Sequence, residues 1–354
     1  MTDTSDIAPL SREEQKAHLD RVSRTFALTI TALPDDLCDY VSCAYLLCRI
    51  ADTIEDDPKM PARDKVDELN TMSLVFDGAV TSTDFHDGVM GRLSANEAET
   101  ALMDDIPRVF ARFSSYPDNV RAVISEGVRI MCAGMGAAQT AGRVRSRHDL
   151  DLYCYSVAGV VGELLAELFM QRSPGMAEER GAVMALAVSF GEGLQMTNIL
   201  KDVRDDAARG VCWLPAGTGS DGSDGQNAAD ASLSAEKRSE LVEENVRIAA
   251  GHLLNAVRFI LKVPPAERGI RKFCSWAAAM AFLTLRNISA NPSFSSAAEI
   301  KITRKAVKRT VLLCNLAVFS NWTLRLLFRY FRWNLGAEIQ DEFLLKKQVS
   351  SWKD

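Results

Sequence analysis

The sequence predicts an all-α protein, and three observations lead to this prediction. Apolar residues make up 47% of the 354-residue chain, which is enough for a large buried core and argues against global disorder. These residues recur at helical spacing along the chain, and no convincing strand-like alternation appears. Prolines stand where the apolar stretches end, as expected at the ends of helices.

Several of the predicted helices are apolar on nearly every face, as expected for helices that are surrounded by other helices. The predicted helices span residues 37–54, 120–134, 150–171, 182–203, 237–261, 272–288 and 302–333. We predict one domain over residues 1–354, with a flexible segment at 1–18, a mobile loop at 216–234 and a polar tail at 335–354.

The predicted loop is rich in glycine, serine and aspartate and lacks apolar anchors over residues 216–232. It follows an acidic cluster closely, so it could act as a lid over a site there. The alternative is an inert surface insertion, because long loops cost little stability. Both interpretations remain open.

Charge and cysteine usage restrict the partners and the compartment. The net charge is −6 and no basic tract is present, so nucleic acid is not expected as a partner. None of the eight cysteines forms a CxxC pair, and most lie in apolar helical stretches. The first 14 residues are polar and acidic, unlike a secretory signal. We therefore expect a reduced, cytoplasmic setting, and we favour a monomer.

Two acidic clusters, at residues 52–57 and 202–206, each end a long apolar stretch that is predicted to be helical. The C-terminal end of a helix carries partial negative charge, so carboxylates there are repelled unless a cation neutralises them. If the two ends meet in the folded core, they could share metal ions.

Each cluster completes a polar stripe on one face of its helix, because the residues are spaced by three and four positions. The stripes consist of Tyr45, Arg49, Asp52 and Asp56 on the first helix and of Gln195, Asn198, Asp202 and Asp205 or Asp206 on the second. A structural alternative for the first stripe is a buried ion pair between Arg49 and Asp52, followed by a solvated acidic helix end. Two matched stripes favour a functional site over that alternative.

Magnesium bound to a diphosphate fits such a site best. Mg²⁺ prefers hard oxygen ligands and commonly combines one or two carboxylates with substrate phosphates. Nearby cations could take up the remaining phosphate charge; these are Arg49, Lys201, Arg204 and Arg209. Zinc is disfavoured because the four histidines lack ligand spacing, and no Walker-type glycine loop is present.

A third stretch places Tyr153, Val157, Val161 and Leu165 at intervals of four residues, with Gly159 and Gly162 beside them. Glycines on a packed helix make room either for a neighbouring helix or for a ligand. Helix packing is the commoner cause. Next to a metal–diphosphate site, however, an apolar channel for an isoprenoid tail becomes the more specific interpretation.

A basic and aromatic stretch lies at residues 311–333. Its uninterrupted apolar part ends at Arg325, so it is shorter than the about 20 apolar residues that a spanning helix needs. It could lie on a membrane surface, or it could be a core helix whose arginines reach out to solvent.

Four ordered motifs resemble the squalene and phytoene synthases, which join two prenyl diphosphates head to head. The similarity extends over roughly residues 23–307. The four motifs lie at 23–26, 45–56, 153–162 and 195–206, and a later similar segment includes Phe273 and Cys274. The resemblance implies the all-α isoprenoid synthase fold, a single-domain helical bundle around a central cavity.

The resemblance also implies roles for individual residues, taken position by position in this sequence. The Mg²⁺ ligands would be Asp52, Glu55, Asp56, Asn198, Asp202 and Asp206. The four aspartates of this set would also be catalytic. Substrate contacts would come from Ser23, Arg24, Thr25, Phe26, Tyr45, Arg49, Val157, Val161, Gly162, Leu165, Leu194, Gln195, Lys201, Arg209 and Phe273. Tyr153 matches the tyrosine with a catalytic role in the family, as an acid–base group or as a stabiliser of cations.

The implied reaction condenses two farnesyl diphosphates through presqualene diphosphate, with loss of diphosphate assisted by Mg²⁺. Reduction by NADPH would then give squalene. The first motif and the Phe273 segment are similar to the squalene synthase branch. A dehydrosqualene or phytoene synthase, which lacks the reductive step, is the alternative. A second alternative is a non-catalytic helical assembly module, although all the expected polar residues are present.

Overall fold

The computed structural model describes residues 7–94, 96–141, 144, 146–208, 212–215 and 234–338. The regular secondary structure in these ranges consists of helices, with no β-strand among them. The all-α prediction is therefore confirmed. By compactness the chain divides into two units, Met1–Gly142 and Arg143–Asp354.

The first unit places the first acidic cluster at the end of a long central helix, α3. Its helices are α1 (Arg12–Val22), α2 (Arg24–Ile30), α3 (Asp35–Asp56), α4 (Ala62–Phe76), α5 (Ser82–Met90), α6 (Glu97–Asp104), α7 (Ile106–Ser114) and α8 (Asp118–Ala141). Helix α3 packs against α1, α4, α6, α7 and α8. This position fixes the direction in which the polar stripe of α3 points.

A buried carboxylate anchors the start of α3. Asp39 accepts hydrogen bonds from Gln15 on α1, at 2.8 Å, and from Tyr116 after α7, at 2.8 Å, and it also pairs with Arg112. Burial by itself would raise the pKa of Asp39, but the hydrogen bonds from Arg112, Gln15 and Tyr116 outweigh that effect and lower it. Three segments of the unit are thereby joined at one ionised group.

The second unit is organised around α12, which carries the second acidic cluster at its end. Its elements are α9 (Arg147–Cys154), a π-helical turn (Tyr155–Gly159), α10 (Val160–Arg172), α11 (Pro174–Ala177), α12 (Arg180–Ala208), α13 (Ala235–Lys262), α14 (Arg268–Ala290), α15 (Ala297–Ile300), α16 (Arg304–Ala317) and α17 (Asn321–Phe331). Helix α12 packs against α10, α13, α14 and the π-helical turn.

Two sequence-based expectations about helices require correction. The single helix predicted over 302–333 is two helices, because Ser320 caps a new helix by accepting a hydrogen bond from the backbone N–H of Trp322 at 3.1 Å. The segment 1–18, predicted to be flexible, includes the first turns of α1, where Gln15 and His18 are buried.

The other segments set apart in the sequence lie mostly outside the described residues. Of the loop predicted over 216–234, only Ser234 is described, and it caps α13. Of the polar tail predicted over 335–354, residues 335–338 are described. There the backbone N–H of Glu338 donates to the carbonyl of Arg247 at 3.0 Å.

Two helical stretches are long and apolar enough to cross a membrane, Arg147–Arg172 and Arg180–Ala208. Their most apolar windows are 50% and 72% buried inside the protein, and core helices of soluble proteins share this property. Length and composition alone are therefore weak grounds for a membrane span.

Candidate active site

The polar stripe predicted on α3 is present as a face of that helix. Leu46, Leu47, Ile50 and Ile54 are buried, whereas the stripe of Tyr45, Arg49 and Asp52 is half-buried and Asp56 is exposed. The apolar side of α3 thus holds the helix in the core and leaves the stripe accessible near the C-terminal end of the helix.

Negative charge is crowded at this helix end. Burial raises the pKa of Asp52 to about 7, and the nearby carboxylates of Asp56 and Glu99 add to the increase while Arg49 opposes it. Burial likewise raises the pKa of Glu55 to about 8, with further contributions from Asp52 and Asp56. Among the residues that the structure describes, none forms a hydrogen bond with the buried Oε1 atom of Glu55. These carboxylates lie at the negative end of the helix dipole, so a cation would stabilise them.

Arg49 is held between two carboxylates. It pairs with Glu99 on α6, and its Nη1 atom lies 3.9 Å from Oδ2 of Asp52. The structural alternative, an Arg49–Asp52 ion pair, is therefore present within the site itself. Sequence reasoning missed Glu99, because its only sequence signal is the capping box that it forms with Asn96 at the start of α6.

The first motif brings Ser23 and Phe26 to the same end of the first unit as Tyr45. Ser23 caps α2 by accepting a hydrogen bond from the backbone N–H of Phe26 at 3.1 Å, and the Phe26 ring lies 5.4 Å from the Tyr45 ring. Burial raises the pKa of the Tyr45 hydroxyl. Thr25 is exposed, and the side chain of Arg24 lies outside the described part of the structure.

The second stripe lies at the end of α12 in the other unit. Asn198 is exposed, Asp202 is half-buried with its Oδ2 atom 3.1 Å from Nζ of Lys201, and Asp206 is buried. Leu194 and Gln195 are half-buried one to two turns earlier on the helix. The accessible polar side chains at this helix end therefore include those of Asn198, Lys201, Asp202 and Asp205.

Arg204 has partners within the protein, and its predicted role in taking up phosphate charge stays a prediction. Its Nε atom donates to the carbonyl of Phe294 at 2.9 Å, and its guanidinium lies 5.8 Å from the centre of the Phe294 ring. Arg204 therefore holds the end of α12 to the segment after α14. Arg209 lies outside the described residues.

Tyr153 is oriented by an aromatic partner. Its ring stacks on Trp213 with 3.9 Å between ring centres and 11° between ring planes. Trp213 lies in the short described segment 212–215, far from Tyr153 in sequence, and no sequence pattern identified it. The stack fixes the plane of the ring and therefore the line along which the hydroxyl points.

A π-helical turn follows Tyr153 directly. Val157 lies in this turn, and Val161 and Leu165 follow on α10; all three are half-buried. Phe273 on α14 is buried, with its ring edge-on to Phe169 at 6.0 Å between centres. Single π-helical turns occur often at functional sites because they rotate the residues that follow them.

The structure resolves the two interpretations of the glycines in favour of helix packing. A Cβ added at Gly162 would lie 2.1 Å from the carbonyl oxygen of Ala187, and one added at Gly191 would lie 2.0 Å from that of Ala158. At Gly159 the nearest atom, at 2.9 Å from the added Cβ, belongs to the Tyr155 ring. Gly162 and Gly191 therefore allow α10 and α12 to approach closely, and the role of Gly162 in lining a prenyl site stays a prediction.

Among the described residues, no group of three or more histidine, cysteine or acidic side chains is close enough to hold a metal ion by itself. Magnesium does not require such a group, since one or two carboxylates with substrate phosphates are a common set of ligands. The crowded end of α3 is compatible with a cation of this kind, as is the buried Glu55 oxygen that lacks a hydrogen bond from the described residues.

Comparisons with known proteins agree with the motifs. A family model described as squalene/phytoene synthase matches residues 19–306. Squalene synthase 1 of Arabidopsis thaliana is 35% identical over 189 residues, which is 53% of this chain and 43% of that protein. Squalene synthase of Schizosaccharomyces pombe is 28% identical over 283 residues, which is 77% of this chain and 59% of that protein. The chain thus spans less than two thirds of these curated relatives.

Solved structures show the same fold. A ligand-bound structure of TcSQS has a TM-score of 0.73 and 23% identity, with 96% of each chain covered. A ligand-bound dehydrosqualene synthase has a TM-score of 0.60 and 18% identity, with 86% of this chain and 95% of that chain covered.

Proposed function

Because the chain belongs to the squalene/phytoene synthase family, we propose that it is a prenyl transferase that condenses two farnesyl diphosphates head to head. The carrying observation is the accessible polar stripe at the crowded acidic end of α3, within the span of the family match. The proposed product is squalene, formed through presqualene diphosphate with NADPH as reductant, as the names of the curated relatives suggest.

Mg²⁺ is the proposed metal. Asp52, Glu55 and Asp56 would hold it in the first unit, and Asn198, Asp202 and Asp206 in the second. When bound, the metal would neutralise diphosphate charge and so favour its departure as a leaving group. Binding would also stabilise the charged forms of Asp52 and Glu55, whose pKa values are raised mainly by burial and further by the neighbouring carboxylates.

The protein's own cations and hydroxyls are proposed to hold the diphosphates. Arg49 and Lys201 supply positive charge next to Asp52 and Asp202 respectively. Ser23, Thr25 and Tyr45 would donate hydrogen bonds to phosphate oxygens. Because Arg49 pairs with Glu99, its guanidinium has little freedom to move away from its position.

Tyr153 is the proposed catalytic group on the prenyl side. Its hydroxyl could accept or donate a proton, and the faces of Tyr153 and Trp213 could stabilise an allylic cation. Val157, Val161 and Leu165 present apolar side chains on the following turns and would exclude water from such a cation. On α12, the apolar side chain of Leu194 likewise lies one turn before Asn198 and two turns before Asp202.

A product assay tests this proposal. Purified full-length protein is incubated with Mg²⁺ and either farnesyl or geranylgeranyl diphosphate, with and without NADPH, and products are identified by mass spectrometry. We expect squalene only with farnesyl diphosphate and NADPH. Equal product formation without NADPH would instead assign the chain to the dehydrosqualene or phytoene branch. No condensation product under any condition would leave the helical assembly module as the better description.

Substitutions of the acidic residues test the site. Asp52→Asn and Asp202→Asn should each lower turnover by about a hundredfold or more while helicity is unchanged, because electrostatic groups at a reacting centre commonly contribute that much. The matched control is Asp67→Asn, at an exposed position of α4 outside the site, which should retain wild-type turnover. Near-normal turnover in both site variants would refute the proposed roles of these carboxylates.

A further inference from the structure

Helices α16 and α17 expose a large apolar surface. Trp322 is 67% exposed, Leu316 65%, Trp333 61% and Leu312 59%. Phe319, Leu326 and Tyr330 are also exposed. Large exposed apolar side chains that occur singly need no explanation, but seven of them within 22 residues form a patch.

The patch is the solvent-facing side of α16 and α17, whose opposite side packs in the core. On α17 the exposed Trp322, Leu326 and Tyr330 recur every four residues, while Leu324 and Phe328 on the opposite face are buried in the core. The core interpretation of this segment is therefore correct for one face only. The other face carries the exposed apolar side chains, and no element covers it in the part of the chain that the structure describes.

The segment that carries the patch has charges of one sign only. Between residues 302 and 337 there is no aspartate or glutamate. The same segment carries Arg304, Lys305, Lys308, Arg309, Arg325, Arg329 and Arg332, all of them exposed. These cations form no salt bridge with any described residue, although the whole chain carries a net charge of −6.

Arginines from α14 extend this basic rim onto the aromatic rings. Arg268 lies 4.7 Å from the centre of the Phe319 ring, and Arg286 lies 6.0 Å from that of Tyr330. Next to them, a groove of about 260 Å³ is lined by residues that include Lys305, Arg309 and Tyr330. Cations and a hydroxyl beside apolar side chains are the groups that recognise a phosphate with acyl chains attached.

We propose that the exposed face of α16 and α17 docks onto the surface of a bilayer that contains anionic phospholipids. Tryptophan, leucine and phenylalanine would enter the boundary between headgroups and acyl chains, as in other interfacial helices. The surrounding arginines and lysines would pair with lipid phosphates, with Lys305 and Arg309 at the groove. This surface serves docking alone, and its argument does not depend on the proposed reaction.

Vesicle flotation with the full-length chain tests the proposal without substrate. We expect the protein to float with vesicles of phosphatidylcholine and phosphatidylglycerol, to bind vesicles of phosphatidylcholine alone much less, and to be released by high salt. The double variant Leu316→Ser and Trp322→Ser should bind at least about tenfold more weakly. Arg325→Gln and Arg329→Gln should each reduce binding about fivefold.

Matched controls lie on the other unit. Leu74→Ser removes a leucine that is 43% exposed, and Arg63→Gln removes an exposed charge on α4; neither should change binding. Circular dichroism checks that each variant is folded. The proposal is overturned if wild-type protein does not float with anionic vesicles, or if the face variants float as wild type does. It is also overturned if the face variants instead dissociate a dimer detected by light scattering, because the patch would then be a self-association interface.

Discussion

A buried polar cluster in the second unit shows how single residues respond to their surroundings. Glu192 on α12 is 1% exposed, and its Oε2 atom lies 3.2 Å from Nδ1 of His252 on α13. Ser189 accepts a hydrogen bond from Asn255 and lies 2.9 Å from the same Nδ1 atom, so it can donate to a neutral imidazole. Burial raises the pKa of Glu192 well above its usual value and lowers that of His252 to about 3.

These two shifts act on stability with opposite signs. Glu192 holds its proton in the folded protein, so its contribution falls as pH rises above the ordinary value of 4.5. His252 stays neutral in the folded protein, so its contribution rises with pH between about 3 and 6.5. Above pH 6.5, of these two residues only Glu192 still makes stability depend on pH.

We therefore predict that Glu192→Gln is more stable than the wild type at pH 8 by about 1 kcal/mol or more, because the amide carries no charge to bury. At pH 3 the difference should nearly vanish, since Glu192 is then protonated in both the folded and the unfolded chain. Urea unfolding at several pH values measures the difference. Glu178→Gln, at an exposed position, should change stability by less than about 0.5 kcal/mol throughout. A constant difference at all pH values would contradict the explanation.

At the scale of elements, the crossing of α10 and α12 depends on the absence of side chains. A Cβ atom added at Gly162 or Gly191 would lie 2.1 Å or 2.0 Å from a backbone carbonyl oxygen, far closer than van der Waals contact allows. Backbone cannot rotate aside as a flexible side chain can. The same crossing positions Tyr153 and the stripe of α12 within one unit, because the π-helical turn packs on α12.

Gly162→Ala is therefore expected to lower the free energy of unfolding by about 3 kcal/mol, the upper range for overpacking a core. Gly181→Ala is the matched control, since it lies on α12, the helix that Gly162 meets, and nothing lies within 4 Å of the added Cβ. It should be neutral or more stable by up to about 1 kcal/mol, as alanine favours a helix over glycine. Urea midpoints and circular dichroism compare the two. Equal stability of the two variants would show that the helices can separate without loss.

The helices themselves could largely be predicted, because burial on one face imposes a period that the sequence must carry. The predicted 37–54 and 237–261 helices correspond to Asp35–Asp56 and Ala235–Lys262. The break at Ser320 was missed because the apolar pattern continues through it, and a single capping serine is a weak signal. The π-helical turn was missed because its sequence keeps the four-residue spacing of its neighbours.

The candidate site could be predicted only where its residues share one helix. Arg49 and Asp52 were found together because three-residue spacing places them on one face of α3. Glu99 and Trp213 were missed because they reach Arg49 and Tyr153 through tertiary packing, which leaves no local pattern. For the same reason no sequence pattern indicated the contact between Arg204 and the Phe294 carbonyl, which is distant in sequence.

For the whole molecule, the proposed site implies that ligand binding and stability are linked. Ligands that bind only the folded chain raise its stability, by about 2.7 kcal/mol at a concentration one hundred times the dissociation constant. We predict that Mg²⁺ together with inorganic diphosphate raises the Tm by about 4 °C, more than either alone, because the metal must bridge two sets of negative groups.

The Asp52→Asn variant separates this explanation from a general effect of salt. Without ligand it should be slightly more stable than the wild type, because one of the repelling charges at the end of α3 is gone. With Mg²⁺ and diphosphate its Tm should rise much less than that of the wild type, because a proposed metal ligand is missing. Asp67→Asn should behave as the wild type in both conditions. Differential scanning fluorimetry gives all these values without turnover, so the result stands apart from any product assay. If Asp52→Asn showed the full rise in Tm, the carboxylates at the end of α3 could not be the groups that hold the metal.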